Sequence, residues 1–178
     1  MEGLQGNSQG CLSHRYGGRG VDAEDQKFMA VEGLHAWASA ILTQVERLEL
    51  ARSELAGGGR NRRAYLCERH FLVSAAKKLV DYMDWARDLG FLDDSVFREM
   101  LRLRDDIVYL RNVNEHVIEY YRGIGKDPEH WVFADELIVV DASSTIRKKI
   151  GGRLDWSELA EAASRLLNDL PKHYFPSR

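Results

Sequence analysis

The feature that most constrains the fold is the absence of proline before Pro128 in a chain of 178 residues. Proline interrupts a helix because its ring removes a backbone donor and clashes with the preceding turn. Residues 27 to 122 are therefore free to form long helices. Apolar residues in this stretch recur at steps of three and four, which is the period of an amphipathic helix. The chain is thus predicted to be mainly α-helical.

Glycines and aspartates divide this stretch into three helices. The predicted ranges are about Asp25 to Leu55, about 61 to 89, and about 95 to 122. Gly57, Gly90 and Gly123 follow the three predicted ends, and glycine is the usual residue just beyond a helix C-terminus. Either Asp93 or Asp94 is a suitable N-cap for the third helix. Three long helices joined by short turns predict an antiparallel bundle.

The pattern changes after Pro128. The β-branched run ELIVVD and the alternating run STIRKKIGG predict a small β-hairpin over about residues 136 to 151. Asp155 then caps a last helix, about 155 to 170, with Glu158 at capping-box spacing. Pro171 ends that helix. The predicted fold class is a mainly all-α, four-to-five-helix antiparallel bundle with one hairpin before the last helix.

Composition sets the domain organisation and excludes several classes of protein. Residues 1–25 are rich in Gly, Ser, Asn and Gln and predict a disordered leader, which leaves residues 26–178 as one domain. No apolar run approaches the roughly 18 residues of a membrane span. The two cysteines form no disulfide framework, so a cytoplasmic location is expected. With a net charge of −3, any binding of a polyanion requires a local basic patch.

The third predicted helix has two apolar faces. The face expected to meet the core comprises Val96, Met100, Leu103, Ile107, Leu110, Asn114, Val117, Ile118 and Tyr121. Asn114 is the polar exception and is expected to find hydrogen-bond partners if it is buried. On the other side, Tyr109, Val113, His116 and Tyr120 recur at the spacing of a contact surface. A homodimer with Tyr109, Val113 and Tyr120 in its interface is the simplest expectation.

The sequence RNVNEH, residues 111 to 116, lies late in this helix. Asn112 directly follows Arg111, and four residues separate Arg111 from His116. In this pattern the chain resembles the HEPN superfamily of all-helical domains. That family carries an Arg-x4–6-His signature near the end of a long core helix, usually with a polar residue after the arginine. The resemblance covers about residues 27 to 122. Arg63 and His70 also fit the spacing and stay open as an alternative pair.

The resemblance implies a metal-independent endoribonuclease without cofactor, of the kind found in toxin–antitoxin and RNA-defence systems. It further implies an RNA substrate, a site composed across a homodimer, and either an antitoxin or a nucleotidyltransferase partner. His116 would act as general acid or base, Arg111 would stabilise charge on the phosphate, and Asn112 would orient one of them. Some toxin members carry a modified tyrosine two residues after the histidine, where this chain has Ile118.

A second hypothesis for the function is a non-catalytic HEPN-like module for dimerisation or partner binding, since many members of the family lack nuclease activity. Other chemistries have no supporting pattern: no pair of Glu-x-x-His motifs for a di-metal site, and no complete P-loop. Basic residues cluster at 59 to 63, at 77 and 78, and at 147 to 149. These clusters either aid solubility or form a rim that contacts phosphates.

Overall fold

A computed structural model describes residues 21–57, 62–126, 128–134 and 139–171. Within these ranges the helices are α1 (Ala23–Ala56), α2 (Arg62–Asp88), α3 (Arg98–Glu115), α4 (Val117–Tyr121) and α5 (Trp156–Asp169). Short 3-10 turns cover Asp94–Phe97 and Pro128–His130. The strands are β1 (Val132–Ala134), β2 (Val139–Asp141), β3 (Thr145–Ile146), β4 (Lys149–Ile150) and β5 (Leu154–Asp155). A mainly helical fold with a small antiparallel strand region is thereby confirmed.

Helix α1 begins earlier than its sequence pattern indicated. The side chain of Asp22 accepts a hydrogen bond from the backbone N–H of Asp25 at 2.8 Å and so caps the first turn. The predicted leader of residues 1–25 therefore overlaps the helix at its end, and residues 1–20 lie outside the described residues. Within the described ranges, no helix combines the length and apolar content needed to cross a bilayer.

The core lies between α1, α2, α3 and α5. Its largest fully buried side chains include Leu34, Ile41, Leu72, Leu79, Ile107 and Trp156. Helices α1 and α2 approach closely at Gly33, where an added Cβ would collide with the ring of Tyr82. Glycine at this position lets the aromatic ring lie against the helix backbone. The indole N–H of Trp156 donates to Glu49 at 2.8 Å, which joins α5 to α1.

The third helix is not continuous to residue 122, and this part of the prediction is wrong. Helix α3 ends at Glu115, His116 leaves helical geometry at φ −108° and ψ 18°, and the short α4 begins at Val117. The change of direction allows Tyr120 to stack on Trp131, with ring centroids 4.9 Å apart and planes at 13°. Two residues predicted to face the core are instead exposed after the break, Ile118 at 63% and Tyr121 at 68%.

The predicted hairpin of residues 136–151 is also wrong in its pairing. Strand β2, from the ELIVVD run, pairs with the preceding β1 and not with the following residues. The STIRKK run folds back on itself instead, so that β3 pairs with β4 around Arg147, whose φ is 53°. Strand β5 then pairs with β4. Residues 135–138 lie outside the described residues. Alternating residues favour a strand, but they do not identify its partner.

Candidate functional site

A groove with a volume of about 740 Å³ runs between α1, α2 and the C-terminal end of α3. Its lining residues are Trp37, Ala40, Gln44 and Arg47 of α1; Phe71, Ser74, Ala75, Lys77, Lys78 and Asp81 of α2; and Arg111, Asn112, Glu115 and His116. All three residues predicted to be catalytic therefore face the same space. We refer to this space as the groove.

Arg111 lies on the wall of the groove with 27% of its side chain exposed. One guanidinium nitrogen, Nη1, is enclosed by protein and has no hydrogen-bond partner among the described residues, although the carboxylate of Glu115, one turn further along α3, lies beside it as an ion pair. A pair at this spacing stabilises a helix and also holds the guanidinium in place. The guanidinium is thus in position at the groove, and the adjacent carboxylate balances part of its charge.

His116 stands at the junction between α3 and α4, with 57% of its side chain exposed. Its Nδ1 lies 3.0 Å from a carboxylate oxygen of Glu119. The backbone carbonyl of His116 accepts from the N–H of Glu119 at 2.8 Å, so the two residues are joined twice. A carboxylate bonded to one ring nitrogen orients an imidazole and leaves the other nitrogen for chemistry. Glu119 was missed in the sequence, although its spacing of three residues from His116 could have indicated it.

Asn112 is exposed and lies on a ridge between two spaces. It lines the groove on one side and a smaller cavity of about 260 Å³ on the other. The smaller cavity is bounded by Tyr109, Asn112, His116, Glu119, Tyr120 and Lys126. His116 is likewise shared by both spaces, so a ligand in either one could reach its ring.

The groove carries an excess of positive charge although the chain as a whole is negative. Arg47, Lys77, Lys78 and Arg111 stand against Asp81 and Glu115, an excess of two positive charges. Lys77 is paired with Asp81. Arg47 and Lys78 are exposed, and within the described ranges neither forms an ion pair. The groove therefore provides the local basic patch that a polyanion ligand requires.

The predicted dimer interface is corrected by the packing of Val113, which is completely buried in the core of its own chain. The strand region lies against a neighbouring part of α3, where Gly151 packs directly against Leu110, one turn before Val113. The guanidinium of Arg153 likewise lies 4.9 Å from the ring centre of Tyr109. Val113 is therefore not available to a second chain, whereas Tyr109 and Tyr120 are only partly buried.

The strand region also places charged groups next to α3. Burial raises the pKa of Asp106, and the nearby cation Arg153 offsets only part of this effect. The strand region also contacts α2, where Arg69 donates to the backbone carbonyl of Ser143. Burial lowers the pKa of the Arg69 guanidinium. Among the described residues, the side-chain nitrogen of Asn114 is enclosed and has no hydrogen-bond partner, contrary to expectation.

The alternative pair, Arg63 and His70, lies on α2. Both residues are exposed, and neither is among the residues that line the groove. The ring of His70 contacts Phe71 edge to face, with centroids 5.9 Å apart. Among the described residues, no three His, Cys, Asp or Glu side chains are grouped closely enough to hold a metal ion.

A comparison of the chain with models of protein families, with curated proteins and with solved structures finds no match.

Proposed function

We propose that this chain is a HEPN-like, metal-independent endoribonuclease that cleaves single-stranded RNA bound in the groove, in a toxin–antitoxin or RNA-defence setting. One observation carries the proposal: Arg111, Asn112 and His116 line a single groove that also holds an excess of positive charge. Phosphate neutralisation by lysine and arginine supplies most of the sequence-independent affinity for nucleic acid.

In the proposed reaction, His116 removes the proton from a ribose 2′-OH, and the 2′-oxygen attacks the adjacent phosphorus. The bond from phosphorus to the 5′-oxygen breaks, and that oxygen takes up a proton. The products are a cyclic 2′,3′-phosphate and a free 5′-OH. Arg111 exchanges Glu115 for the phosphate and stabilises the charge that develops on its oxygens. Asn112 positions the phosphate between the two spaces that it lines.

A single imidazole cannot act as base and as acid in the same step, so the proposal includes a homodimer. A second copy facing the groove would supply another His116 to protonate the leaving oxygen. An antitoxin or nucleotidyltransferase partner would regulate the enzyme by covering this face.

The test incubates purified protein with single-stranded RNA of mixed sequence and scores the products for cyclic-phosphate ends. His116→Ala is expected to lower the rate by about 10²- to 10⁴-fold, the usual contribution of a general acid–base group. Arg111→Lys is expected to impair cleavage, because an ammonium lacks the two-pronged planar donor geometry. Arg102→Lys is the matched control on an exposed part of α3. Cleavage is expected to persist in EDTA.

Two results would overturn this assignment. If His116→Ala cleaves as fast as the wild type, the activity belongs to another site or to a contaminant. If His70→Ala abolishes cleavage and His116→Ala does not, the functional pair is Arg63 and His70.

A second candidate function is a non-catalytic HEPN-like binding module. The observation in its favour is that both proposed catalytic side chains already have carboxylate partners, Arg111 with Glu115 and His116 with Glu119. Tight binding of RNA or protein without cleavage of any RNA would select this function.

A further inference from the structure

We infer that Phe71 is a stacking platform for one unpaired base of a bound RNA, next to the phosphate that the 2′-oxygen attacks when His116 removes its proton. The inference rests on the proposed function and adds a residue that the resemblance does not assign. Phe71 lies on the wall of the groove with 55% of its surface exposed. An isolated exposed phenylalanine is ordinary, but this ring is placed among cations in a concave site.

The height of Phe71 along the groove follows from the packing of α2 against α3. Arg104 of α3 forms an ion pair with Asp84 of α2 at 2.8 Å. Seven residues onward in α3 and seven residues back in α2 lead to Arg111 and Lys77, which both line the groove. Each of these steps is about 10 Å at the helical rise of 1.5 Å per residue.

Five residues beyond Arg111 is His116, directly after the end of α3, and six residues back from Lys77 in α2 is Phe71. These two residues are therefore at about the same height on facing walls of the groove. A base stacked on Phe71 would hold its own phosphate at the level of the His116 ring.

The charges around the ring fit the backbone of a single strand. Arg47 and Lys78 line the same groove, are exposed, and form no ion pair within the described ranges. Proteins that bind single strands combine a cationic groove with aromatic side chains on which bases stack. In a duplex both faces of each base are covered by its neighbours, so this use of Phe71 requires unpaired RNA.

The experiment measures binding by fluorescence anisotropy of a labelled single-stranded oligoribonucleotide. All variants are made in a His116→Ala background, so that the RNA is bound without being cleaved. Phe71→Ala is expected to weaken binding by about 5- to 150-fold, the usual effect of removing one stacking partner. Phe71→Trp is expected to restore it. Leu50→Ala is the matched control, since Leu50 is 63% exposed on α1 and lies outside the groove lining.

The dependence of RNA affinity on salt concentration distinguishes a loss of stacking from a loss of phosphate contacts. Phe71→Ala is expected to leave the slope of log affinity against log salt unchanged, because phenylalanine neutralises no phosphate. Lys78→Met is expected to reduce that slope by about 0.7, the value for one phosphate contact on a single strand. The affinity for an RNA duplex of the same sequence is expected to be unchanged by Phe71→Ala.

The outcomes distinguish this inference from the proposed function. If the wild type cleaves RNA but Phe71→Ala binds as tightly as its parent, the inference is wrong and the function stands. The inference is also wrong if Phe71→Ala and Phe71→Trp weaken RNA binding equally, because tryptophan retains a stacking surface. If binding depends on Phe71 while the wild type cleaves nothing, the nuclease function is wrong and the stacking site stands. No binding of RNA at micromolar protein would end both.

Discussion

Substitution of Val113 tests whether this residue belongs to the core or to an interface. Its side chain is completely buried. Val113→Ala removes two carbons at about 0.8 kcal/mol each, and the resulting cavity raises the total cost to about 2 to 3 kcal/mol. In a chain of this size that corresponds to a fall in melting temperature of about 4 to 12 °C. Urea unfolding followed by circular dichroism measures the change.

The arginine variant sharpens this test. Val113→Arg places an unpaired charge in the core, at a cost of several kcal/mol against a typical total stability of about 5 to 15 kcal/mol. We expect little folded protein. Ile118→Arg is the control, because Ile118 is 63% exposed and its unfolding free energy should change by no more than about 0.5 kcal/mol. A Val113→Arg protein that unfolds at the wild-type urea midpoint but loses a dimeric state in light scattering would refute the core assignment.

Two further predictions concern the packing of α1. Gly33→Ala forces the ring of Tyr82 away from the helix, and we expect a loss of about 1 to 3 kcal/mol in urea unfolding, whereas a gain would show that the ring moves freely. Burial by itself raises the pKa of the Glu49 carboxyl, but hydrogen bonds from Trp156, Lys148 and other donors outweigh it and keep that pKa below its ordinary value. A lowered folded-state pKa stabilises the protein at neutral pH, and this contribution starts to fall near the unfolded-state pKa of about 4.3 and is lost as the pH passes through the lower folded-state pKa. The unfolding free energy of the wild type should therefore fall more steeply in acid than that of Glu49→Gln, and parallel pH curves would contradict this.

Local signals in the sequence were sufficient for the long helices. The first, second and last were predicted at about 25–55, 61–89 and 155–170, and the structure has them within two residues of these limits. Apolar period, glycine stops and the Asp155 cap act within one or two helical turns, so each can be recognised without knowledge of the rest of the chain. The same holds for the spacing of Arg111, Asn112 and His116, of which the first two lie on α3 and the third directly after it.

Contacts between distant segments decided the rest. The third helix ends at Glu115, Tyr120 of the following short helix stacks on Trp131, and Val113 is completely buried although the helical period placed it on the face away from the core. The pairing of the strands depends on which segments come together in the folded chain. Alternation of residues along a strand does not specify its partner. The groove has the same origin, since Arg47 and Phe71 come from helices whose relative placement is set by core packing. A single helical period determines which residues share a face, whereas only the packed chain determines what covers that face.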